Sequence, residues 1–409
     1  MHPKRILILL AVWLFISKTN AQVSKIEMSI DSQSLALYNS GQWKALVIYG
    51  KNNIQSGTDF TLLRMRIGYA AFMLENFSES LAQYKKVFDE DPENITALNY
   101  VYLNNLYLNN LTAARYYSAK ISDKKQEKEI KTALKIASVA TEYSYKRPTD
   151  TMRKTAQYSR FGVNVQLSNR LELEQSVAFY NQIINEPNIN ASAPPPPPNF
   201  PSGNLSTIGQ LVQNTRSIDI HQKEYYAKLA YAASGEVSML GGFHFLQTPF
   251  NNVIYNNTIF FAGLKYTTPF AHISFLSSFG KISDSASKQY EGALTLFPLG
   301  NTKLYCISKL AYNNNPIFTQ IAGVGITKAI WLEANVTFGK YNVYFDNDAL
   351  YVYNDIDQKE MKAGGSIYAS LSKKLQLTLN YIFEKKLKYK TVSNHFYQHS
   401  ITGGLTWKF

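Results

Sequence analysis

From about residue 135 to the end of the chain, apolar and polar residues alternate. The clearest run sets Leu375, Leu377, Leu379, Tyr381 and Phe383 against Gln376, Thr378, Asn380 and Glu384. The last stretch, His395 to Phe409, repeats the pattern. Tyr397, His399, Ile401, Gly403, Leu405, Trp407 and Phe409 share one face, and Gln398, Ser400, Thr402, Gly404, Thr406 and Lys408 the other. A period of two places the two sets on opposite faces of a strand. The same reading predicts strands at 135–146, 157–167, 171–181, 223–233, 237–247, 256–266, 270–280, 288–298, 302–312, 318–327, 330–342, 363–371, 375–386 and 395–409.

The connectors suggest how these strands are arranged. Short turns at 168–169, 234–235, 267–268, 299–301, 328–329 and 372–374 alternate with longer connectors at 147–156, 182–222, 248–255, 281–287, 313–317, 343–362 and 387–394. Transmembrane barrels have short periplasmic turns and longer outside loops. If the final strand runs inward, every long connector falls outside and both ends of the barrel segment lie on the periplasmic side. The alternative, a secreted β-sandwich with a helical domain, does not demand such alternation.

Residues 27–122 change to a helical period. Residues 61–94 match the 34-residue tetratricopeptide spacing. Ile67 and Gly68 supply a tight helix–helix contact, Tyr84 takes the aromatic position of the second helix, and Pro92 the terminating one. Pro there stops a helix and sets a turn. Ser78 and Ser80 are available for capping a helix over 78–90. A second unit starts near Ile95, with Ala114 at the small position where paired helices touch, and a degenerate unit runs over about 32–49. Ser80 stands where Ala is usual and Glu75 where Gly is usual. A generic helical hairpin is the plainer alternative. The expected fold is α + membrane β: a short periplasmic tetratricopeptide-like α-solenoid, then an antiparallel transmembrane β-barrel of about 14 strands.

Composition supports this picture. Aromatics make up 14% of the chain, led by 29 Tyr and 23 Phe, while charge is low at 17%. No stretch after residue 30 approaches the ~18 apolar residues of a membrane-crossing helix. Residues 1–21 read as a secretory signal, with Lys4 and Arg5 before the apolar run Ile6 to Ile16 and a cut after Ala21. The expected domains are therefore the signal at 1–21, helices at 22–134 and the barrel at 135–409. The formal charge of +13 is dispersed. It suits solvation and attraction to anionic lipid or an acidic polymer rather than nucleic acid. A single cysteine, Cys306, leaves no internal disulfide or Cys-based metal cluster.

Strand parity turns Glu142, Arg160, Glu172, Glu174, Lys228, Lys265, Glu291, Glu333 and Glu384 toward the lumen, with Lys408 on the same face of the last strand. A barrel of this strand number is wider than side chains alone can fill. Charges of both signs suit either a hydrated channel or a lumen knitted by ion pairs. No catalytic, cofactor-binding or metal-binding constellation is expected. His399 and Ser400 are adjacent and so point to opposite faces, and His395 and His399 lie roughly 13 Å apart on a strand. Residues 341–357 combine Asp346, Asp348, Asp355 and Asp357 with Tyr344, Phe345, Tyr351 and Tyr353. Such carboxylates suit calcium and such aromatics carbohydrate, but the simpler expectation is a hairpin standing above the membrane. The run Pro194 to Pro198 in the 182–222 connector forms a stiff polyproline rod.

The order of segments resembles the YaiO-like outer-membrane β-barrel proteins and, more distantly, exopolysaccharide export porins with periplasmic tetratricopeptide repeats. The anchors are the 61–94 repeat, the strand pair Phe161 to Phe179 around Ser168-Asn169-Arg170, and the ending Leu405-Thr406-Trp407-Lys408-Phe409. The terminal strand, with Tyr397, Leu405, Trp407 and Phe409, resembles the signal that barrel assembly machinery reads. The resemblance implies outer-membrane residence in a Gram-negative bacterium, contact with outer-membrane lipid and a link to surface polysaccharide. It implies no catalytic residue and no cofactor. A short α-solenoid in general binds a peptide or protein on its concave side, so the helical repeats are expected to hold a periplasmic protein partner.

Overall fold

The computed structural model describes residues 25–125, 134–187, 215–250, 253–389 and 391–409. The expected signal at 1–21 and the proline run lie outside them. Two compact units result, one helical and one a barrel.

The helical unit holds α1 (25–39), α2 (Trp43–Gln55), α3 (Thr61–Met73), α4 (Phe77–Glu90), α5 (Ile95–Tyr107) and α6 (Leu111–Lys125). From α2 to α6, each helix packs on the next. The turns inside the three successive pairs each carry a left-handed residue: Gly41, Glu75 and Asn109, with φ of 68°, 58° and 55°. These fall 34 residues apart, as do the starts of α2, α4 and α6. Glu75 thus occupies the left-handed position without glycine, at a cost of about 1 kcal/mol. Gly68 is needed for a different reason: a Cβ there would lie 2.8 Å from the Tyr84 ring. Capping differs from expectation. Asn76 caps α4 by accepting from the Glu79 amide at 3.1 Å, and Asn94 caps α5 by accepting from Ala97 at 2.9 Å. Ser78 and Ser80 are buried instead. Ser80 accepts from Asn104 Nδ2 at 2.9 Å, which accounts for a hydroxyl where alanine would otherwise pack.

The barrel strands are β1 (Lys135–Pro148), β2 (Arg153–Gln166), β3 (Leu171–Pro187), β4 (Thr215–Ala232), β5 (Val237–Phe250), β6 (Val253–Thr267), β7 (Ala271–Ile282), β8 (Ser285–Leu296), β9 (Leu304–Asn313), β10 (Asn315–Gly325), β11 (Ile330–Asp346), β12 (Tyr351–Ser370), β13 (Leu375–Leu387) and β14 (His395–Lys408). They form one closed barrel in sequence order, with β14 returning to β1. The closing seam runs antiparallel from Ser138↔Lys408 to Pro148↔Gln398. Closure leaves no unpaired edge, as a lipid environment demands.

The expected strands form, but one rim departs from the sequence reading. The strands there run past their expected ends: β2 starts at Arg153 rather than 157, β3 ends at Pro187 rather than 181, and β4 starts at Thr215 rather than 223. The connectors 281–287 and 313–317 shrink to two residues and one. Among the described residues, the alternation is therefore one of strand overhang at one rim, not of loop length. Beyond the apolar band, outward side chains meet water as inward ones do, so the period-two contrast fades while backbone pairing continues.

The outer surface is apolar. Phe161, Phe179, Leu229, Phe260, Tyr381 and Ile401 are all exposed. Tyr225, Phe243, Phe260 and Phe279 make an aromatic ladder from β4 to β7, with successive centroids 5.8, 6.5 and 5.9 Å apart. An exposed aromatic band around a closed barrel fits a membrane β-barrel.

Candidate functional site

The lumen is filled on one side by the chain itself. At Gly339 (φ 145°) β11 turns off β10, and a Cβ there would stand 2.7 Å from the Pro316 carbonyl. Pairing of β10 with β11 stops at Phe318↔Phe338. Residues 342–354 then form a hairpin inside the barrel, and its tip carries three consecutive left-handed residues, Asn347, Asp348 and Ala349. This corrects the expectation of a hairpin above the membrane. The physical reason is packing: Phe345, Ala349 and Leu350 are buried against Tyr226, Leu246, Ile259, Phe261, Leu276 and Ile282 of the β4–β7 wall. A wide barrel needs such filling, and a hairpin carrying this much apolar surface gains by supplying it.

Polar contacts hold the hairpin in register. Gln289 exchanges two hydrogen bonds with the Phe345 backbone, 2.7 Å to the carbonyl and 2.9 Å from the amide. The Ala349 carbonyl lies 2.7 Å from His244 Nδ1, and His244 Nε2 lies 3.2 Å from Glu224. The Tyr226 hydroxyl donates to the Asp348 carbonyl at 3.1 Å.

The hairpin carboxylates are spoken for by basic side chains. Asp346 takes Lys362 at 2.9 Å and Lys309 at 3.6 Å, and Asp348 takes Lys228 at 3.1 Å. Opposite Asn342, β12 bulges away from β11 over residues 355–358. That bulge presents Asp355 to Lys359 at 2.5 Å, and Asp357 accepts from Arg153 Nη2 at 2.7 Å and Nε at 2.9 Å. Among the described residues no group of His, Cys, Asp and Glu is arranged to hold a metal.

The positions that parity turned inward are distributed as follows. Glu142 and Arg160 pair at 3.1 Å, and the Tyr351 hydroxyl donates to Glu142 at 2.7 Å. Glu174 pairs with Lys228 at 2.9 Å, Glu291 with Lys309 at 3.7 Å, and Glu384 with Lys359 at 3.1 Å. Glu333 accepts from the Tyr305 hydroxyl at 2.7 Å. Glu172 shares its strand face with Glu174, and Lys265 shares one with the buried Ile259 and Phe261. Lys408 is exposed at the end of β14. Of the assembly-signal residues, Tyr397, Leu405, Trp407 and Phe409 are all exposed on the outer surface. In the helical unit Ile67, Gly68, Tyr84 and Ala114 are buried, and Pro92 lies in the turn after α4.

Several cavity residues are not among the candidates read from sequence. Lys146 and Lys386 share strand and parity with Glu142 and Glu384 but stand at the last expected strand position, and Arg153 falls in the expected connector 147–156. Lys359 and Lys362 have opposite parity, yet both are buried inside, because a register shift between Lys359 and Met361 reverses the alternation. Only the bulge reconciles them, and no local sequence signal marks it.

Between the hairpin and the remaining wall lies a cavity of about 1160 Å3. Its lining mixes amides, hydroxyls and tyrosines with ion pairs. Ser400 lines it, whereas His399 is on the outer face, 2.8 Å from the Tyr381 hydroxyl. These two cannot act together on one substrate.

No protein-family model matches the chain, and no curated protein is similar to it in sequence. Among solved structures, the toluene transporter TodX of Pseudomonas putida is similar at 7% identity and TM-score 0.44, covering 67% of this chain and 89% of that one. A FadL homologue of Pseudomonas aeruginosa is similar at 10% identity and TM-score 0.43, covering 67% and 90%. A bacterial polysaccharide outer membrane secretin is similar at 10% identity and TM-score 0.37, covering 68% and 100%. No family is assigned on these similarities.

Proposed function

We propose that this protein is a non-enzymatic outer-membrane barrel that passes or handles a hydrophilic solute or envelope polymer through a lumen narrowed by its own hairpin. The observation that carries the reading is the combination of an apolar outer surface with a polar cavity of about 1160 Å3 beside residues 342–354. A purely structural barrel has no use for an interior lined with hydrogen-bonding groups around open space. The 34-residue spacing of Gly41, Glu75 and Asn109 supports a tetratricopeptide-like solenoid, which would sit in the periplasm and hold a protein partner. The YaiO-like resemblance supports the same placement and a surface polysaccharide as cargo.

Planar-bilayer recording of the purified full chain tests this. The expected result is a small conductance that rises when residues 343–353 are replaced by a short Gly-Ser turn. Silence in both proteins would sink the transport reading. The second reading is an adaptor with a plugged lumen, favoured by the ion pairs that anchor the hairpin. It predicts a silent native protein and conductance only after the replacement.

A further inference from the structure

Lys146 on β1 lines the cavity and differs from its basic neighbours there. Arg153, Arg160, Lys309, Lys359, Lys362 and Lys386 each hold a carboxylate within 4 Å. Among the described residues Lys146 holds none. Its ammonium stands over two ring faces instead, 5.9 Å from the centroid of Tyr158 and 5.4 Å from that of Tyr180. Asp355 and Glu384 lie within electrostatic reach, but they share Lys359 and Lys386. These two carboxylates are thus engaged by other cations. Glu224, which lines the cavity near Tyr158 and Tyr180, accepts from Gln222 Nε2 at 2.6 Å and lies 3.2 Å from His244, so Lys146 is left without a carboxylate of its own. An ammonium has three N–H donors, and ring faces satisfy them poorly.

A second, independent feature lies beside it. Tyr158 is 8% exposed and lines the same cavity, and its hydroxyl has no protein hydrogen-bond partner. Buried hydroxyls are normally satisfied, so an orphan facing a cavity marks a place for something else to bind. The register puts these groups close together along the barrel axis. Lys146 is level with Ala156, and Tyr158 is level with Ser144 and Tyr180. On the other side of the seam, Ser144 is level with Thr402 and Thr402 with Asn380. The Asn380 side-chain oxygen is a second orphan lining this cavity.

We infer that Lys146, Tyr158, Tyr180 and Asn380 form a subsite for an anionic, hydroxyl-rich solute, an acidic sugar bearing a carboxylate or a phosphate. The anion would sit on Lys146, a sugar hydroxyl would meet the Tyr158 hydroxyl and Asn380 Oδ1, and the apolar face of the ring would lie against Tyr180. This deepens the solute-handling reading and rests on the cavity being reachable from solvent.

The test is equilibrium binding by calorimetry, with the full chain in detergent and glucuronate, glucose 6-phosphate and glucose as probes. A charge-assisted contact of this kind gives the anionic sugars about ten-fold tighter binding than glucose. Lys146→Gln should remove that preference, Lys146→Arg should keep it, and Tyr158→Phe should weaken all three sugars alike. Preference for glucuronate alone assigns a carboxylate ligand, and for glucose 6-phosphate alone a phosphate. Equal binding of glucose and the acids, a preference that survives Lys146→Gln, or no binding of any probe would each overturn the inference. Heat-modifiable gel migration reports whether each variant is folded. If Lys146→Gln is not, loss of the preference in high salt and the Tyr158→Phe result decide the matter. Absent binding in a protein that conducts would remove the subsite and leave the transport reading standing. Binding in a silent protein would do the reverse.

Discussion

At the residue scale, the most consequential side chains are charges buried in pairs. Arg153 is 5% exposed and Asp357 6% exposed, and they meet through two hydrogen bonds. Removing Arg153 leaves the buried Asp357 with the Tyr389 amide but without its guanidinium, and breaking a buried ion pair costs about 3–5 kcal/mol. Arg153→Ala should therefore lower unfolding stability by roughly that amount, while the double variant Arg153→Met with Asp357→Leu should recover most of it. Urea titration in lipid vesicles, followed by tryptophan fluorescence, measures both. In the helical unit, burial pushes the pKa of the Tyr84 hydroxyl above that of an ordinary tyrosine, and the neighbouring Tyr100, Tyr38 and Tyr69 raise it further. The unfolded chain loses this proton near pH ~10 while the folded one keeps it, so the contribution is whole below that pH and drains away as pH rises. Helical circular dichroism should show stability falling above pH ~10 by up to about 1.4 kcal/mol per pH unit for this group, and Tyr84→Phe should flatten the slope.

At the scale of elements, the hairpin 342–354 shows how strand alternation can be misread. Its residues alternate and pair as a strand does, but Gly339 and the bulge at 355–358 redirect them from the wall into the lumen. Phe345 is fully buried there. Phe345→Ala should cost about 3–5 kcal/mol of docking energy if the cavity it leaves does not collapse. The expected readout is new trypsin cleavage at Lys340 or Lys359 in folded, membrane-inserted protein; unchanged resistance would mean the hairpin stays docked without it. In the helices, Gly68→Ala drives a methyl into Tyr84 and should lower helical stability by about 1–3 kcal/mol. The sequence put Ile67 and Gly68 at a tight helix–helix contact and Tyr84 on the following helix, and all three residues are buried.

At the scale of the whole molecule, closure depends on β14. It pairs with β13 from His395 to Trp407 and with β1 from Gln398 to Lys408. Its outward residues Tyr397, Ile401, Leu405, Trp407 and Phe409 complete the apolar surface. Phe409→Asp should reduce the amount of folded barrel in membranes several-fold, because a charge would enter that surface at the seam. Heat-modifiable migration and membrane fractionation check this, and normal levels of folded barrel would show that Phe409 is dispensable for assembly.

The sequence by itself determined a barrel of about fourteen antiparallel strands and a helical segment before it. Each of these follows from local periodicity: two residues for a strand, 34 for a helical pair, and one turn to the next neighbour. Only the tertiary structure decided where the strands end, where the hairpin goes and which inward charges meet. Strand ends depend on where the apolar surround stops, which the chain does not encode locally. The inward fold of 342–354 depends on a barrel wide enough to need filling, and that width exists only once fourteen strands have closed. The pairing of Arg153 with Asp357 joins residues 204 apart, and a bulge sets its geometry. The want of a carboxylate at Lys146 is of the same kind, since it emerges only when the other cations of the cavity have found their partners.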